Sequence, residues 1–260
     1  MRYEQITYET RGTIAVLTLN RPERLNAWTR RMSLEMSHAI QRTNDDPAIG
    51  ALVITGAGRG FCAGADVNDQ FNARLESRAA GNDEEWLDND WVTVVREAKP
   101  IVAAVNGVAV GIGMTMILPC DIILASDQAR FGMFFIKMAL VPELASTYFL
   151  AQRVGFAQAS EMCLTGRLYS ADEAGRSGLV NRVVAHAQLM AEAAAVAESI
   201  AANPDRQLRW IKDLLTKNAA EPDYRAVMAM ENDLLERSIA TPEHHEAVAA
   251  FREKRAPKFR

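Results

Sequence analysis

The sequence predicts an α/β protein with a mostly parallel sheet, closed by a helical C-terminal region. Three observations carry that reading. Residues 101–105 and 121–125 are uninterrupted apolar runs, as expected of strands buried on both faces. Helical segments of crossover length join the strand-like runs. Near residue 195 the chain turns alanine-rich and then amphipathic, so it divides into a core, 1–195, and a helical subdomain, 196–260. The alternation is not that of a clean doubly wound sheet.

The elements follow in order. Residues 13–20 alternate apolar and small polar side chains and are rich in β-branched types, which predicts a strand. Arg21-Pro22-Glu23-Arg24 turns the chain. Residues 27–42 read as a helix, because Met32, Met36 and Ile40 recur on one face. Asn44-Asp45-Asp46-Pro47 is turn chemistry, and 49–55 is a second strand. It opens into a glycine-rich stretch from Gly56 to Asp66.

Residues 67–90 are polar and hold the acids Asp83, Glu84, Glu85, Asp88 and Asp90, which predicts a solvated loop. Trp86, Leu87 and Trp91 leave a second reading open, a lid over an apolar ligand. A helix then runs to about Ala98, where Lys99-Pro100 stops it. A short buried helix is expected over 111–119. Helices follow over 171–177, capped by Ser170, and over 189–202, 206–218, 224–239 and 242–254. Residues 179–184 form a last strand. Thr241-Pro242-Glu243 is a strong helix start.

Composition removes several classes of function. The 260 residues are 49% hydrophobic, enough for a large core. No apolar run approaches the length of a membrane span. The opening Met1-Arg2-Tyr3-Glu4 is not an apolar signal region. Cys62, Cys120 and Cys163 are far apart and odd in number, which supports neither a disulfide framework nor a CxxC metal site. A reducing, cytoplasmic setting is expected. The net charge of -4 argues against a general nucleic-acid binder.

Two glycine turns carry the chemistry. Gly56-x-Gly58-x-Gly60 lacks the GK[ST] of a phosphate loop, and Gly107-x3-Gly111-x-Gly113 has the wrong order for a dinucleotide fingerprint. Taken singly, each reads as a tight turn. Together they form a pattern, since each follows a buried strand and opens a helix, where free amides hold negative charge. Two such amides converging on one oxygen form an oxyanion hole.

Glu143 follows Pro142 in an apolar neighbourhood of Leu140, Val141, Leu144 and Ala145. Partial desolvation there suits a general base. An acid complementing a helix N-terminus is the plainer reading, and the two are compatible. Asp66 is expected to cap a following helix. His38, His186, His244 and His245 have no catalytic spacing, and no Ser/His/Asp order is supported. Met114, Met116, Met133 and Met138 read as lining rather than ligands.

At these residues the chain resembles the crotonase superfamily, the enoyl-CoA hydratase/isomerase family, over nearly its whole length. The segments are Asn20-Arg-Pro-Glu-Arg-Leu-Asn-Ala27, Gly60-Phe-Cys-Ala-Gly-Ala-Asp66, Pro100-Ile-Val-Ala-Ala-Val-Asn-Gly107 with Val110-Gly-Ile-Gly113, and Cys120-Asp-Ile-Ile-Leu-Ala-Ser126. Glu161-Met-Cys-Leu-Thr-Gly-Arg167, Ala171-Asp-Glu-Ala174 and Gly178-Leu-Val-Asn181 complete the match. The resemblance implies a crotonase (ClpP-like) fold of repeated ββα turns, assembled as a homotrimer or homohexamer. It implies an acyl-CoA thioester as substrate and no metal or separate cofactor, coenzyme A being part of the substrate.

The thioester oxygen would then take hydrogen bonds from the amides of Ala65 and Ile112. The family often has glycine where Ile112 stands, a departure that leaves the amide in place. The adenine would lie near Leu25, Ala27 and Ala63. Arg24, with Lys254 or Lys258 of this or a neighbouring subunit, would meet the phosphates. Asp66, Val67, Asn68, Gly111 and Thr115 would complete the substrate contacts.

Departures from the pattern bear on the reaction. Hydratases of the family use two glutamates, whose positions here hold Thr115 and Phe135. The segment Leu140-Val-Pro-Glu143-Leu-Ala-Ser146 instead resembles the single-glutamate enoyl-CoA isomerases, with Glu143 as base and Phe134 and Phe135 walling the site. The expected activity is a 3-enoyl-CoA to 2-enoyl-CoA isomerase. A hydratase or other crotonase reaction run with one carboxylate, and a silent acyl-CoA binder, are the alternatives. An RNA-binding role, known for some members, does not fit the acidic balance.

Overall fold

The structure, a computed structural model, describes residues 1–67 and 90–260. The expectations for Asn68, Trp86, Leu87 and a helix after Asp66 lie outside the described residues. The main sheet contains β1 (Ile6–Arg11), β2 (Ile14–Leu19), β3 (Ala51–Gly56), β5 (Ile101–Val105), β7 (Ile122–Ser126) and β10 (Arg182–Val184), in that spatial order. The second sheet contains β4 (Gly60–Cys62), β6 (Val108–Val110), β8 (Arg130–Gly132) and β9 (Tyr169–Ser170). Pairing is parallel except at the two ends, β1 with β2 and β8 with β9.

The continuous apolar runs have the expected cause, since the main sheet is covered on both faces. Ile14, Val16, Ala51, Val53, Val102, Ala104 and Leu124 face helix α6 (Leu189–Ala201). That helix offers Leu189, Ala193, Ala197 and Ala201, a stripe four residues apart whose small side chains let it lie close. The alternate residues, among them Leu17, Leu52, Ile54, Ala103, Val105 and Ile123, face the larger core. There they meet helix α1 (Arg30–Asp45) through Met32, Met36 and Ile40, and the second sheet through Phe61, Ala109 and Phe131.

The chain repeats one movement. A strand of the main sheet is followed by a strand of the second sheet and then by a helix. β5 and β6 lead into α3 (Ile112–Thr115), and β7 and β8 lead into α4 (Ser146–Thr165). This is the ββα repeat of the crotonase fold. Between β5 and β6, Gly107 lies so close to the 59–60 backbone that a Cβ on it would sit 2.1 Å from the Arg59 carbonyl oxygen. The Asn106 side chain stitches the same corner, its amide donating to the Gly58 carbonyl at 2.9 Å.

Helix α2 (Trp91–Glu97) begins at Asp90, whose carboxylate accepts from the Thr93 N–H. Trp91 is buried, its indole N–H donating to the Met116 carbonyl at 2.9 Å, and its ring packs edge-on against Trp28. It is a core residue rather than part of a lid. The short α5 (Ala171–Ser177) has the capping box expected from Ser170, completed by Glu173. α7 (Asp205–Asn218), α8 (Tyr224–Ile239) and α9 (Pro242–Glu253) follow.

The first of these three is tied to the core by charge. Lys212, almost fully buried, lies 2.9 Å from Asp121, and Arg96 meets the other oxygen of that carboxylate at 2.9 Å. Among the described residues no helix is long and apolar enough to cross a membrane.

The second sheet, β1 and α4 were not expected from the sequence. The helix expected over 111–119 is only the single turn Ile112–Thr115, continued by irregular turns. α4 is interrupted at Gly155, where φ is 76°.

Candidate active site

The site forms where Gly64-Ala65 meets Gly111-Ile112, whereas the Gly56–Gly60 turn leads into β4 and not into the expected helix. Trp28 and Ala65 make an isolated parallel bridge. The Trp28 N–H donates to the Gly64 carbonyl at 2.8 Å, and the Asp66 N–H donates to the Trp28 carbonyl at 2.8 Å. Gly64 C=O and Ala65 N–H belong to one trans peptide plane and point in opposite directions. Fixing the carbonyl on Trp28 therefore turns the Ala65 N–H away from it.

The second turn works similarly. Gly111 donates its N–H to the Gly132 carbonyl at 3.0 Å and then reverses the chain at φ 54°, ψ -129°. Only glycine adopts that conformation without strain. Ile112 opens α3, leaving its N–H outside the helix ladder. Neither the Ala65 nor the Ile112 N–H has an acceptor among the described residues.

The two turns are in contact. A Cβ on Gly111 would lie 3.8 Å from the Gly64 Cα, and one on Gly64 would lie 3.4 Å from the Val110 carbonyl oxygen. Gly113 brings α3 onto β4, since a Cβ there would be 2.2 Å from the Cys62 carbonyl oxygen. Cys62 itself is a packing residue, and burial pushes its thiol up to about 12.

Glu143 reaches the same place from a distant part of the chain. The buried Thr115 hydroxyl, one turn beyond Ile112, lies 3.5 Å from Glu143 Oε1 and 3.4 Å from the Ile112 carbonyl. Glu143 is half-buried. Leu144 and Ala145, just after it, are both left-handed, at φ 54° and 49°. Such a conformation costs roughly 1–2 kcal/mol for each L-residue. Strain of this kind is concentrated at functional sites, and here it turns the chain between Glu143 and α4.

The other expected contacts fall around this centre. Leu25, Ala27 and Ala63 are half-buried neighbours, with the Ala63 N–H donating to the Leu25 carbonyl at 3.0 Å. Phe135 is buried and Phe134 half-buried, beside Gly132. Val67, Arg24, Lys254 and Lys258 are exposed. The Asp66 carboxylate is engaged by Arg21 at 2.9 Å. Met114, Met116 and Met133 are core residues, whereas Met138 is exposed.

Two residues that the sequence reading passed over matter here. Asn26, fully buried and left-handed, donates to the Ala57 and Gly60 carbonyls and accepts from the Arg21 N–H at 2.8 Å. Arg21 donates from Nη1 to the Ala27 carbonyl at 2.6 Å. An asparagine four residues after Pro22, in the segment Asn20–Ala27, is the sequence signal that could have found the first. Ser126 lies 3.0 Å from His186 Nδ1, but it is buried and accepts from the Gln128 N–H, so this pair locks a loop.

Two free amides from touching turns, with a carboxylate one helical turn away, can stabilise an enolate oxygen while a proton is moved on the adjacent carbon. Residues 9–260 match the family model described as enoyl-CoA hydratase/isomerase. The chain is 35% identical to a probable enoyl-CoA hydratase of Mycobacterium bovis, over 100% of this chain and 99% of that one. It is also 35% identical to the 1,2-epoxyphenylacetyl-CoA isomerase of Escherichia coli, over 95% and 94% of the two chains. The crystal structure of an enoyl-CoA hydratase subunit of Geobacillus kaustophilus superposes with a TM-score of 0.87 at 34% identity, covering 99% of this chain and 98% of that one. With its fold, its paired turns and these relatives in agreement, the chain belongs to the enoyl-CoA hydratase/isomerase family.

Proposed function

We propose that the protein is a 3-enoyl-CoA to 2-enoyl-CoA isomerase with Glu143 as its only base. The observation that carries this reading is the Thr115–Glu143 contact, which sets one carboxylate beside the turn bearing the Ile112 N–H. Thr115 and Phe135 occupy the places where two-glutamate hydratases have their acids, so Glu143 acts alone. Glu143 takes a proton from C2, and the C–H electron pair becomes a C1=C2 double bond. The negative charge collects on the thioester oxygen, held by the amides of Ala65 and Ile112. The protonated Glu143 returns the proton at C4, leaving the double bond at C2–C3. No redox or metal chemistry enters.

The coenzyme A moiety lies along Leu25, Ala27 and Ala63, and Arg24 and the C-terminal lysines meet its phosphates. Phe134 and Phe135 keep water from the dienolate. Exposed apolar residues on the C-terminal helices, among them Ile211, Leu215, Met228 and Leu235, support a homotrimer or homohexamer. Light scattering checks that assembly. The composition supports a cytoplasmic setting.

The test is a screen of 3-enoyl-CoA and 2-enoyl-CoA esters with the native protein and with Glu143→Gln. The expected result is a double-bond shift by the native protein, with loss of roughly 10²–10⁴ in rate in the variant. A native rate in Glu143→Gln removes Glu143 as base. A second reading, hydration with one carboxylate, draws on the relatives named hydratase, such as the 34% identical crotonyl-CoA hydratase of Syntrophomonas wolfei. Water addition to 2-enoyl-CoA without any double-bond shift would establish it instead.

A further inference from the structure

We propose that Arg21 is a positioning residue for the oxyanion hole, acting on the Ala65 N–H through two peptide units in series. The relay can be followed atom by atom. Arg21 Nη1 donates to the Ala27 carbonyl at 2.6 Å. That carbonyl shares its peptide plane with the Trp28 N–H, which donates to the Gly64 carbonyl at 2.8 Å. The Gly64 carbonyl in turn shares its plane with the Ala65 N–H. Each carbonyl and the N–H of its own plane point in opposite directions. A cation at Ala27 O therefore heads a line of aligned dipoles that ends at the Ala65 N–H.

Two physical effects follow. Hydrogen bonds in a chain polarise one another, by about 10–30% per bond, so the charge strengthens the last donor. The relay also fixes direction. Gly64, at φ 101°, has no Cβ to hold its peptide plane, and the Trp28 bond supplies the restraint. The guanidinium is itself held from the other side, Nη2 donating to Asp66 Oδ2 at 2.9 Å, with both side chains less than one-fifth exposed. Asp66 also donates its N–H to the Trp28 carbonyl. The ion pair thus clamps both edges of the bridge that carries Ala65. Such charge-assisted bonds are about twice as strong as neutral ones.

This inference rests on the oxyanion-hole reading above, and the test separates the two. The readout is the carbonyl stretching band of a 2-enoyl-CoA labelled with carbon-13 at C1, recorded free and bound, since hydrogen bonding to the thioester oxygen lowers its frequency. In the native protein the band moves down on binding. In Arg21→Gln at least half of that shift is expected to be lost. Turnover should fall about tenfold, less than the 10²–10³ that follows loss of a whole oxyanion donor. The dissociation constant and KM should stay within about threefold, because the hole acts mainly on the transition state. Arg21→Lys, which keeps the charge, should recover part of the shift.

Should Arg21→Gln fail to fold, Asp66→Asn loosens the guanidinium while sparing its bond to Ala27, and an intermediate shift is expected. A bound band at the native frequency in Arg21→Gln, or in Asp66→Asn if that variant must stand in, overturns the relay while leaving the oxyanion hole standing. A native protein that binds the ester without moving the band overturns the hole and the relay with it.

Discussion

Gly113→Ala is the sharpest test of how the site is built. The new Cβ would lie 2.2 Å from the Cys62 carbonyl oxygen, 2.8 Å from the Cys62 Cβ and 2.9 Å from its carbonyl carbon. A carbon–oxygen contact of this kind settles at about 3.3 Å or more, so α3 and β4 must separate by roughly 1 Å. Two of those three atoms are backbone in a strand, and no flexible side chain can yield. Overpacking of this sort costs typically 1–3 kcal/mol. For a chain of this size that lowers the melting temperature by about 2–4 °C per kcal/mol.

The consequence for chemistry is larger than that for stability. α3 carries both the Ile112 N–H and Thr115, whereas the strand it presses against leads to Ala65. A misplacement of about 1 Å in a reacting constellation costs on the order of 10²-fold. The assay follows conjugated thioester by ultraviolet absorbance from a 3-enoyl-CoA, alongside thermal unfolding. Gly12→Ala is the control. Gly12 has a positive φ, 58°, and a Cβ there meets nothing within 4 Å. It should cost about 1–2 kcal/mol of backbone strain and leave turnover unchanged. A folded Gly113→Ala that turns over at the native rate would refute the reasoning.

Other expectations concern the scaffold. Burial raises the proton affinity of Glu35, but the Gln5 and Glu4 N–H groups and Arg31 outweigh it and hold its carboxyl below the usual range. Its contribution is therefore present above the ordinary carboxylate value and lost as pH falls through the lowered one. Urea unfolding at stepped pH should show a steeper acid decline in the native protein than in Glu35→Gln. Asp121→Asn leaves buried Lys212 and the Arg96 guanidinium short of their anion and should destabilise by about 3–5 kcal/mol. Lys212→Met keeps Asp121 paired with Arg96 and should cost far less by the same measurement. Burial pushes both the Cys62 and the Cys120 thiol up to about 12, while Cys163 is only partly buried. Native-state thiol titration should therefore label Cys163 first, with the other two reacting only on unfolding.

The sequence made visible what depends on local pattern. The main-sheet strands appear as apolar runs because both their faces are covered, and α7, α8 and α9 appear through their amphipathic period and starts such as Thr241-Pro242. The second sheet stayed hidden because its strands are only two or three residues long. Gly60-Phe61-Cys62 reads as turn chemistry, and only pairing with residues 108–109 makes it a strand. β1 is an exposed edge and lacks the apolar signal of its neighbours. α4 was missed because it starts from a left-handed alanine and is broken at Gly155.

At the site, the glycine turns and Glu143 stood out by chemistry. Their contact did not, because Thr115 and Glu143 are 28 residues apart. The Arg21–Asp66 ion pair stayed hidden for the same reason, since the two residues lie 45 positions apart.

Because the proposed anion-holding groups are main-chain N–H groups, the side chains at 65 and 112 are free to differ without dismantling them. Under the proposed mechanism, Ile112 can shape the wall beside the acyl chain and still donate the same bond. A lineage built this way can change what it accepts by altering bulk at these positions, and what it does by moving a single acid, while the polarising device is inherited intact through the backbone.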